Sequence, residues 1–310
     1  MLYIGIDVGG TTAKAGVVDE NGHILVKSSC KTGIERGFED IAADMAALCH
    51  RIVRESGHTM DEIAAAGVGI PGEQSPKTGL VALCNNLGWV DVPLKERLCT
   101  ALGVPVYVDN DANVAALAES VFGASRDASS SILVTLGTGV GGGIVVNGKI
   151  LTGAHGAGGE IGHIHVDDET QECCGCGNQG CLEQFASATG IARLGREALE
   201  ASDQPSIMRG KEMSAKLVFD SVKEGDELAI QVAERFGSYL GKALAGMTAV
   251  LDPEIIVVGG GVSKAGEILL DYIRKYYKPC AFKSTKETPF ALAELGNDAG
   301  IYGCAKLILG

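Results

Sequence analysis

The sequence predicts an α/β fold of two domains with a cleft between them, and a duplicated strand–turn–strand unit is the main reason for this prediction. The first copy, residues 2–19, consists of the strand "LYIGIDV", the turn "GGTT" and the strand "AKAGVVD". The second copy, residues 131–146, consists of "SILVTL", "GTG" and "VGGGIVV". Asn-Gly follows each copy, at 21–22 and at 147–148, and this dipeptide is typical of a two-residue hairpin turn. A third strand is therefore expected after each copy.

Helices and strands are expected to alternate after the first copy. The apolar residues of "FEDIAADMAALCHRIVRESG" (38–57) recur at helical spacing, and "AAAGVGIPG" (64–72) is typical of a buried strand. The segment "VPVYVDNDANVAALAESVFG" (104–123) predicts a strand that runs directly into a helix.

The second copy is followed by the same kinds of segment. Residues 226–253 predict a long helix with one apolar stripe, which ends at Pro253, and "EIIVVGGG" (254–261) predicts a strand that stops in three glycines. Two more helices are expected, at 263–279 and 298–309.

We place the domain boundary after the strand at 104–109. The smaller N-terminal lobe comprises residues 1–110 together with the C-terminal helix 298–310, which is expected to pack back on it. The larger lobe comprises residues 111–297. No low-complexity linker separates the two.

Charge and hydropathy exclude several classes of partner. The 310-residue chain has a formal net charge of −13, which repels nucleic acid and acidic membranes. No apolar run approaches the ~20 residues that a bilayer span needs, and "MLYIGIDVGG" lacks the features of a secretory leader. We expect a soluble cytoplasmic protein that binds small molecules.

Six of the ten cysteines are dispersed through apolar or helical segments, which favours free buried thiols over disulfides. They are Cys30, Cys49, Cys84, Cys99, Cys280 and Cys304.

Three glycine-rich sites have the composition of phosphate-binding turns. Consecutive backbone N–H groups without side chains can point at one anion, and neighbouring threonine hydroxyls add donors. The first site follows Asp7, whose carboxylate at a strand end can hold Mg²⁺. A single such turn can equally be a hairpin without a ligand, but three sites favour a bound nucleotide. The residues are Gly9, Gly10, Thr11 and Thr12, then Gly137, Thr138 and Gly139, and finally Gly259, Gly260 and Gly261.

The first two of these turns lead into second strands, which does not fit a P-loop or an isolated dinucleotide-binding G-x-G-x-x-G. The duplicated unit resembles instead the actin/hexokinase-like (ribonuclease H-like) fold of actin, Hsp70 and the sugar kinases. That resemblance implies that both turns face the phosphates of ATP and that Gly259 and Gly260 belong to an adenosine motif.

A short polar segment follows the strand at 104–109. Asp109, Asn110 and Asp111 could grip a polyol and take a proton from it, as phosphoryl transfer requires. The alternative is that Asp109 or Asp111 is simply the N-cap of the following helix.

Four cysteines crowd into "CCGCGNQGC" (173–181). Cys174, Cys176 and Cys181 together with His163 could complete a tetrahedral structural zinc site. Cys173 could replace Cys174, and His155 and His165 are weaker ligand candidates.

The segment around this cluster resembles the signature of the ROK family (repressors, open reading frames, kinases). The signature is G-x-x-G-x-x-G-E-x-G-H followed by C-x-C-G-x-x-G-C-x-E, and "DVGGTTAK", "NDAN" and "VVGGGVS" extend the likeness over essentially the whole chain. The matching residues are Gly153, Gly156, Gly159, Glu160, Gly162, His163, Cys174, Cys176, Gly177, Gly180, Cys181 and Glu183.

The resemblance implies a role for each candidate site residue. Asp111 resembles the general base that deprotonates the 6-hydroxyl of a hexose, and Asn86 and Asn110 resemble ligands of the sugar. Glu160 and Glu183 resemble acceptors for sugar hydroxyls, and His163 would bind zinc with one ring nitrogen and face the sugar with the other. The residues that match the ATP-binding motifs are Asp7, Gly9, Gly10, Thr11, Thr12, Lys14, Gly137, Thr138, Gly139, Gly259 and Gly260.

The implied activity is ATP-dependent hexose phosphorylation at the entry to glycolysis, most readily of glucose, by a homodimer or homotetramer with Mg²⁺ and structural Zn²⁺. N-acetylmannosamine, fructose, mannose and allose stay open as substrates, and polyphosphate stays open as donor. A sugar-sensing ROK repressor and an actin- or Hsp70-like ATPase are the alternatives from other classes. The acidic charge disfavours the repressor, and the ATPase has no use for the cysteine cluster.

Overall fold

The N-terminal strands form a five-stranded sheet in the order β3-β2-β1-β4-β8. β1 and β2 are antiparallel, whereas β1, β4 and β8 run parallel to one another. The structure is a computed structural model that describes residues 1–75 and 78–309. The strands of this sheet are β1 (Leu2–Val8), β2 (Thr12–Asp19), β3 (Ile24–Lys31), β4 (Ile63–Ile70) and β8 (Val106–Asn110).

A second sheet repeats this order as β11-β10-β9-β12-β13. Again the third strand is parallel to the fourth, and the fourth to the fifth. Its strands are β9 (Ser131–Leu136), β10 (Val140–Val146), β11 (Lys149–Ile150), β12 (Ile255–Gly259) and β13 (Phe290–Leu292). The predicted duplication and the α/β fold class are confirmed.

A small antiparallel sheet of β5 (Glu73–Gln74), β6 (Val81–Cys84) and β7 (Trp89–Val92) is inserted between β4 and β8. The helices are α1 (Phe38–Glu55), α2 (Leu94–Leu102), α3 (Asp111–Phe122), α4 (Glu183–Ala186), α5 (Ala188–Glu200), α6 (Ala215–Lys223), α7 (Glu227–Leu251), α8 (Glu267–Cys280) and α9 (Ala299–Leu309).

The predicted helical stripes are the buried faces of α1 and α7. Ile41, Met45 and Ile52 are buried in the core of the first sheet, and Phe236 and Leu240 in that of the second. α7 ends at Leu251, before Pro253, because proline cannot continue a helix. Across the described ranges 1–75 and 78–309, every helix is too short or too polar to cross a bilayer.

Two local predictions differ from the structure, and a third is confirmed. Asn21-Gly22 lies in a four-residue connection, because the Asp19 carboxylate accepts the N–H groups of Asn21 and His23 and widens the turn. Asn147-Gly148 does form the two-residue turn, with φ of 53° and 73°. The helix expected from 263 begins at Glu267, because Gly266 has a φ of 87°.

The dispersed cysteines are free thiols, as predicted, but they are not all buried. Cys49, Cys84 and Cys304 are buried, whereas Cys280 is exposed at the end of α8. Cys30 and Cys99 are partly buried.

By its packing the chain divides into two units. The first comprises Met1–Ser129, Gly143–Gly159 and the residues from Glu294 onward, and the second comprises Ser130–Gly142 and Glu160–Ala293. The boundary after residue 110 stays a prediction, and the division by packing differs from it because α3 belongs to the first unit. Gly310, the last residue assigned to the C-terminal helix, lies outside the described residues.

α9 packs on β1, β4 and α3 within the first unit, as expected for the C-terminal helix. The close approach depends on small residues: a Cβ on Gly67 of β4 would lie 2.0 Å from the Cys304 carbonyl oxygen. Glu119, near the end of α3, connects that helix to the segments at 124 and at 294–295. Its buried carboxylate accepts the N–H groups of Ala124 at 2.8 Å, Glu294 at 3.2 Å and Leu295 at 3.0 Å.

Replacing Glu119 by alanine should lower the free energy of unfolding by about 3 kcal/mol or more, because it leaves up to three buried N–H groups without an acceptor. Urea denaturation measures the change. Glu55→Ala, at an exposed end of α1, is the matched control and should change stability by less than about 0.5 kcal/mol. Equal stability of the two variants would contradict this role of Glu119.

Candidate active site

The first glycine-rich turn joins β1 to β2 in the first unit. The Gly9 N–H donates to the Thr12 carbonyl oxygen at 3.0 Å and closes the turn. Gly10 is exposed at its tip, and a Cβ there would lie 3.6 Å from the Asn86 carbonyl oxygen. The turn therefore lies beside the segment that carries Asn86.

Asp7 lies at the end of β1, just before this turn. Burial raises the pKa of its carboxyl, and the Lys14 ammonium, 3.7 Å from Asp7 Oδ2, opposes that shift. A Cβ on Gly300 of α9 would lie 2.5 Å from the Asp7 Cγ, so the absence of a side chain there makes room for the carboxylate. A nearby cation strongly stabilises the ionised form of a buried carboxylate, and a bound metal ion would do this for Asp7.

The second glycine-rich turn joins β9 to β10. The Gly137 N–H donates to the Gly139 carbonyl oxygen at 3.0 Å. Directly after the turn, the Val140 N–H donates to Glu183 Oε2 at 3.0 Å, and a Cβ on Gly139 would lie 2.2 Å from that same oxygen. Glycine at 139 therefore lets the Glu183 carboxylate lie against the turn.

The third glycine site adjoins the second turn within the second unit. Gly260, after β12, has a φ of 84°, and a Cβ on it would lie 2.5 Å from both the N and the O of Leu136. Leu136 is the last residue of β9, so the end of β12 lies against the start of the second turn. Gly259 forms the end of β12.

The N-cap of α3 is neither Asp109 nor Asp111, the two residues that the sequence suggested. Asn110 caps α3, since its Oδ1 accepts the Ala112 N–H at 2.8 Å and the Asn113 N–H at 3.4 Å. Asp109 is not the cap: its Oδ1 accepts Asn113 Nδ2 at 2.9 Å, and burial raises the pKa of its carboxyl. Asp111 begins the helix, and its Oδ1 accepts the Ala112 N–H at 2.8 Å.

Asn110 also reaches the loop before the small sheet, where its Nδ2 donates to the Gly72 carbonyl oxygen at 3.3 Å. Cys84 lies in the same region and donates its thiol to the Pro71 carbonyl oxygen at 3.2 Å. Burial, together with the charge of Asp111, raises the pKa of Cys84 to about 11. Asn110 and Asp111 thus lie near the loop at 71–72 and Cys84, and Cys84 is two residues before Asn86.

The cysteine cluster and His163 form a compact group in the second unit. His163 Nδ1 lies 3.7 Å from Cys174 Sγ, and Cys176 Sγ lies 3.7 Å from Cys181 Sγ. The four ligand atoms all lie within 4.8 Å of one another. A tetrahedral zinc with bonds of about 2.3 Å to sulfur needs S–S separations of about 3.8 Å, so the spacing fits zinc. Cys173 is exposed and outside this group.

The two glutamates of the motif contact the group from opposite sides of His163. Its Nε2 faces Glu160, whose Oε2 lies 3.8 Å away, while its Nδ1 faces the thiols. Glu183 Oε1 accepts the Cys174 thiol at 3.6 Å. The second unit thus brings Glu160, His163 and Glu183 together beside the second turn. His165 bonds to Asp168 and to the Gln179 carbonyl oxygen instead, and with His155 it lies outside the group.

Two threonines that the sequence did not single out also contact the turns. The Thr32 hydroxyl donates to the Gly9 carbonyl oxygen, and the Thr189 hydroxyl donates to the Thr138 carbonyl oxygen. Neither lies in a glycine-rich motif, and their only local signal is their position at the end of β3 and the start of α5.

Two sheets of the same strand order, each with a glycine-rich turn between its antiparallel strands, define the actin/hexokinase-like class of proteins. The chain belongs to the ROK family, whose model matches residues 3–310. Both predictions from the sequence are thereby confirmed.

Several relatives match over nearly the full length. A glucokinase from Halalkalibacterium halodurans is 42% identical over 99% of this chain and 94% of the relative. The ROK hexokinase of Thermus thermophilus has a TM-score of 0.85 at 34% identity, over 99% of this chain and 97% of the other. A ROK family glucokinase from Streptomyces griseus, solved with glucose and AMPPNP, has a TM-score of 0.82 at 34% identity, over all of both chains.

Proposed function

We propose that this protein is a glucokinase that transfers the γ-phosphoryl group of ATP to the 6-hydroxyl of D-glucose. The observation that carries the proposal is the full-length match to a ROK glucokinase that holds glucose and AMPPNP. Curated glucokinases at 35% to 42% identity, each covering 99% of this chain, support it as well.

Asp111 is the general base of the proposed reaction. The Ala112 N–H holds one carboxylate oxygen at the start of α3, and this fixes the orientation of the side chain. The carboxylate takes the proton of the 6-hydroxyl, and the oxygen forms a bond to the γ-phosphorus. The bond from that phosphorus to the β,γ-bridging oxygen breaks, and ADP leaves with the electron pair.

The two turns bind the phosphates of ATP through their backbone N–H groups, and Gly259 and Gly260 lie beside the adenosine. Asp7 would hold Mg²⁺, which would neutralise charge on the phosphates, and Lys14 lies beside Asp7. The ATP-binding residues of the proposal are Asp7, Gly9, Gly10, Thr11, Thr12, Lys14, Gly137, Thr138, Gly139, Gly259 and Gly260.

The sugar is bound by Asn86, Asn110, Glu160, His163 and Glu183. Carboxylates accept hydrogen bonds from hydroxyls, and the remaining N–H of the Asn110 amide can donate one. Because Asn110 also caps α3, sugar binding and the position of Asp111 depend on the same side chain.

Zn²⁺ would be held by His163, Cys174, Cys176 and Cys181, and it would brace the chain as a structural ion. Nδ1 of His163 faces the thiols and Nε2 faces Glu160, so the ring connects the metal group to the sugar-binding carboxylates.

We place the enzyme in the cytoplasm, where ATP is available and free thiols persist, and its product at the start of glycolysis. A homodimer is the proposed assembly, with a homotetramer as the alternative; both rest on the family resemblance. Sedimentation equilibrium distinguishes them.

The substrate is tested by coupled ADP release over a panel of glucose, mannose, fructose, allose and N-acetylmannosamine, each with ATP and with polyphosphate. We expect the highest kcat/KM for glucose with ATP, by at least about tenfold, since a site built to bind each hydroxyl disfavours a misplaced one. A higher kcat/KM for another sugar would reassign the substrate, and no sugar-dependent ADP release would contradict the kinase.

A further inference from the structure

Thr32 makes two hydrogen bonds to the first glycine-rich turn. Its hydroxyl donates to the Gly9 carbonyl oxygen at 2.7 Å, and its own N–H donates to the Thr11 carbonyl oxygen at 3.0 Å. Thr32 directly follows β3 and is 1% exposed, so both bonds are shielded from water.

The second turn also accepts one hydroxyl and one N–H on its carbonyl oxygens, here from two residues at the start of α5. The Thr189 hydroxyl donates to the Thr138 carbonyl oxygen at 2.7 Å, and the Ala188 N–H donates to the Gly137 carbonyl oxygen at 2.8 Å. Thr189 Oγ1 also lies 2.9 Å from Ser187 Oγ, the side chain that caps α5. The helix N-terminus and the turn are thus joined through two hydroxyls.

Carbonyl and amide groups of one trans peptide point in opposite directions. The Gly9 carbonyl shares a peptide with the Gly10 N–H, and the Thr138 carbonyl shares one with the Gly139 N–H. A hydroxyl bonded to each carbonyl therefore fixes the plane of the peptide and turns its N–H away from the threonine. It also polarises the peptide, which strengthens the N–H as a donor.

We propose that Thr32 and Thr189 are positioning residues for ATP, each acting through one phosphate-binding turn. The proposal rests on the assignment of the turns to ATP under the proposed function. It is carried by a threonine hydroxyl-to-carbonyl bond of 2.7 Å on each of the two turns, to the first turn residue, Gly9, in one and to the second, Thr138, in the other. The two threonines are not equivalent in the duplication, since one follows a strand and the other opens a helix, so the shared contact is not a consequence of the repeat.

The test compares Thr32→Val and Thr189→Val with Thr32→Ser and Thr189→Ser. Valine keeps the branched shape and removes the hydroxyl, whereas serine keeps the hydroxyl. Calorimetry measures the Kd of Mg·ADP and of adenosine, and steady-state kinetics give KM for ATP and for glucose. We expect each valine variant to raise the Kd of Mg·ADP and the KM of ATP about five- to tenfold, the equivalent of one neutral hydrogen bond.

The same variants should leave the Kd of adenosine and the KM of glucose within about twofold of wild type, and serine should restore nucleotide affinity. Thr100→Val, which removes a hydroxyl-to-carbonyl bond in α2, is the matched control and should change none of these values. Since Thr32 is buried, its valine variant could unfold; exposed Thr189 then decides the proposal alone.

Wild-type affinity for Mg·ADP in Thr189→Val, or an equal loss for adenosine, would overturn the proposal. Wild-type protein that binds Mg·ADP without phosphorylating glucose would overturn the glucokinase assignment, while the calorimetric comparison would still decide the role of the threonines. Wild-type protein that binds no Mg·ADP would overturn both.

Discussion

Asp111→Asn is expected to lower kcat for glucose phosphorylation about 10³-fold, because an amide cannot accept the proton of the 6-hydroxyl. The Asn Oδ1 can still accept the Ala112 N–H, so α3 should begin at the same residue and the fold should persist. KM for ATP should change by less than about threefold, since the turns are untouched. Coupled ADP release gives both constants.

Asp109→Asn is the matched control, two residues earlier on the same segment. Its carboxylate accepts the Asn113 amide and the Asn110 N–H and so supports the helix start without acting as base. We expect lower thermal stability and a kcat within about tenfold of wild type. Near-normal turnover in Asp111→Asn would contradict the assignment of the base, and a 10³-fold loss in Asp109→Asn would move it.

Cys174→Ser is expected to lower bound zinc from about one ion per chain to a small fraction, because three ligands and a weak hydroxyl replace a closed tetrahedral site. Cys174 Sγ also lies 3.6 Å from Glu183 Oε1, so loss of the metal site is expected to disturb the carboxylate that borders the second turn. We expect KM for glucose to rise about tenfold or more and the midpoint of thermal unfolding to fall. Metal analysis, kinetics and calorimetry measure the three effects.

Cys173→Ser separates the two neighbouring thiols. Cys173 is exposed and lies outside the group of ligand atoms, so zinc content, KM and thermal stability should stay at wild-type values. The reverse result, with zinc lost from the Cys173 variant and kept by the Cys174 variant, would exchange their roles. Wild-type protein that is fully active without zinc would refute the structural-zinc proposal.

Much of the fold could be predicted because the local signals agree with the packing. Gly-Gly-Thr-Thr between two apolar strands and a helical stripe such as Met45 and Ile52 predict the same elements that the core selects. The errors occur at element ends. Asn21 departs from its expected turn because the Asp19 carboxylate offers the backbone another acceptor, and such competition is not visible in strand periodicity.

The residues of the candidate site were predicted from the sequence, but the choice between adjacent residues was left open in two places. Spacing left Cys173 and Cys174 open, since adjacent residues are equally near the other ligands along the chain. Folding places the Cys174 thiol, and not that of Cys173, against His163. Asp109 and Asp111 were equally good caps by composition, yet Asn110 between them is the cap, because its side chain reaches the N–H groups of both Ala112 and Asn113.

Residue types and their order were sufficient for the duplicated fold, for ROK membership, and for the nature of the chemistry, because a phosphate turn or a thiolate group needs particular atoms at particular spacings. Contacts between segments far apart in the chain needed the folded molecule. The Glu183 carboxylate against Val140, and Thr32 and Thr189 behind the two turns, join segments 23 to 51 residues apart. Such pairings depend on how strands and helices pack, and no local pattern of residues encodes them.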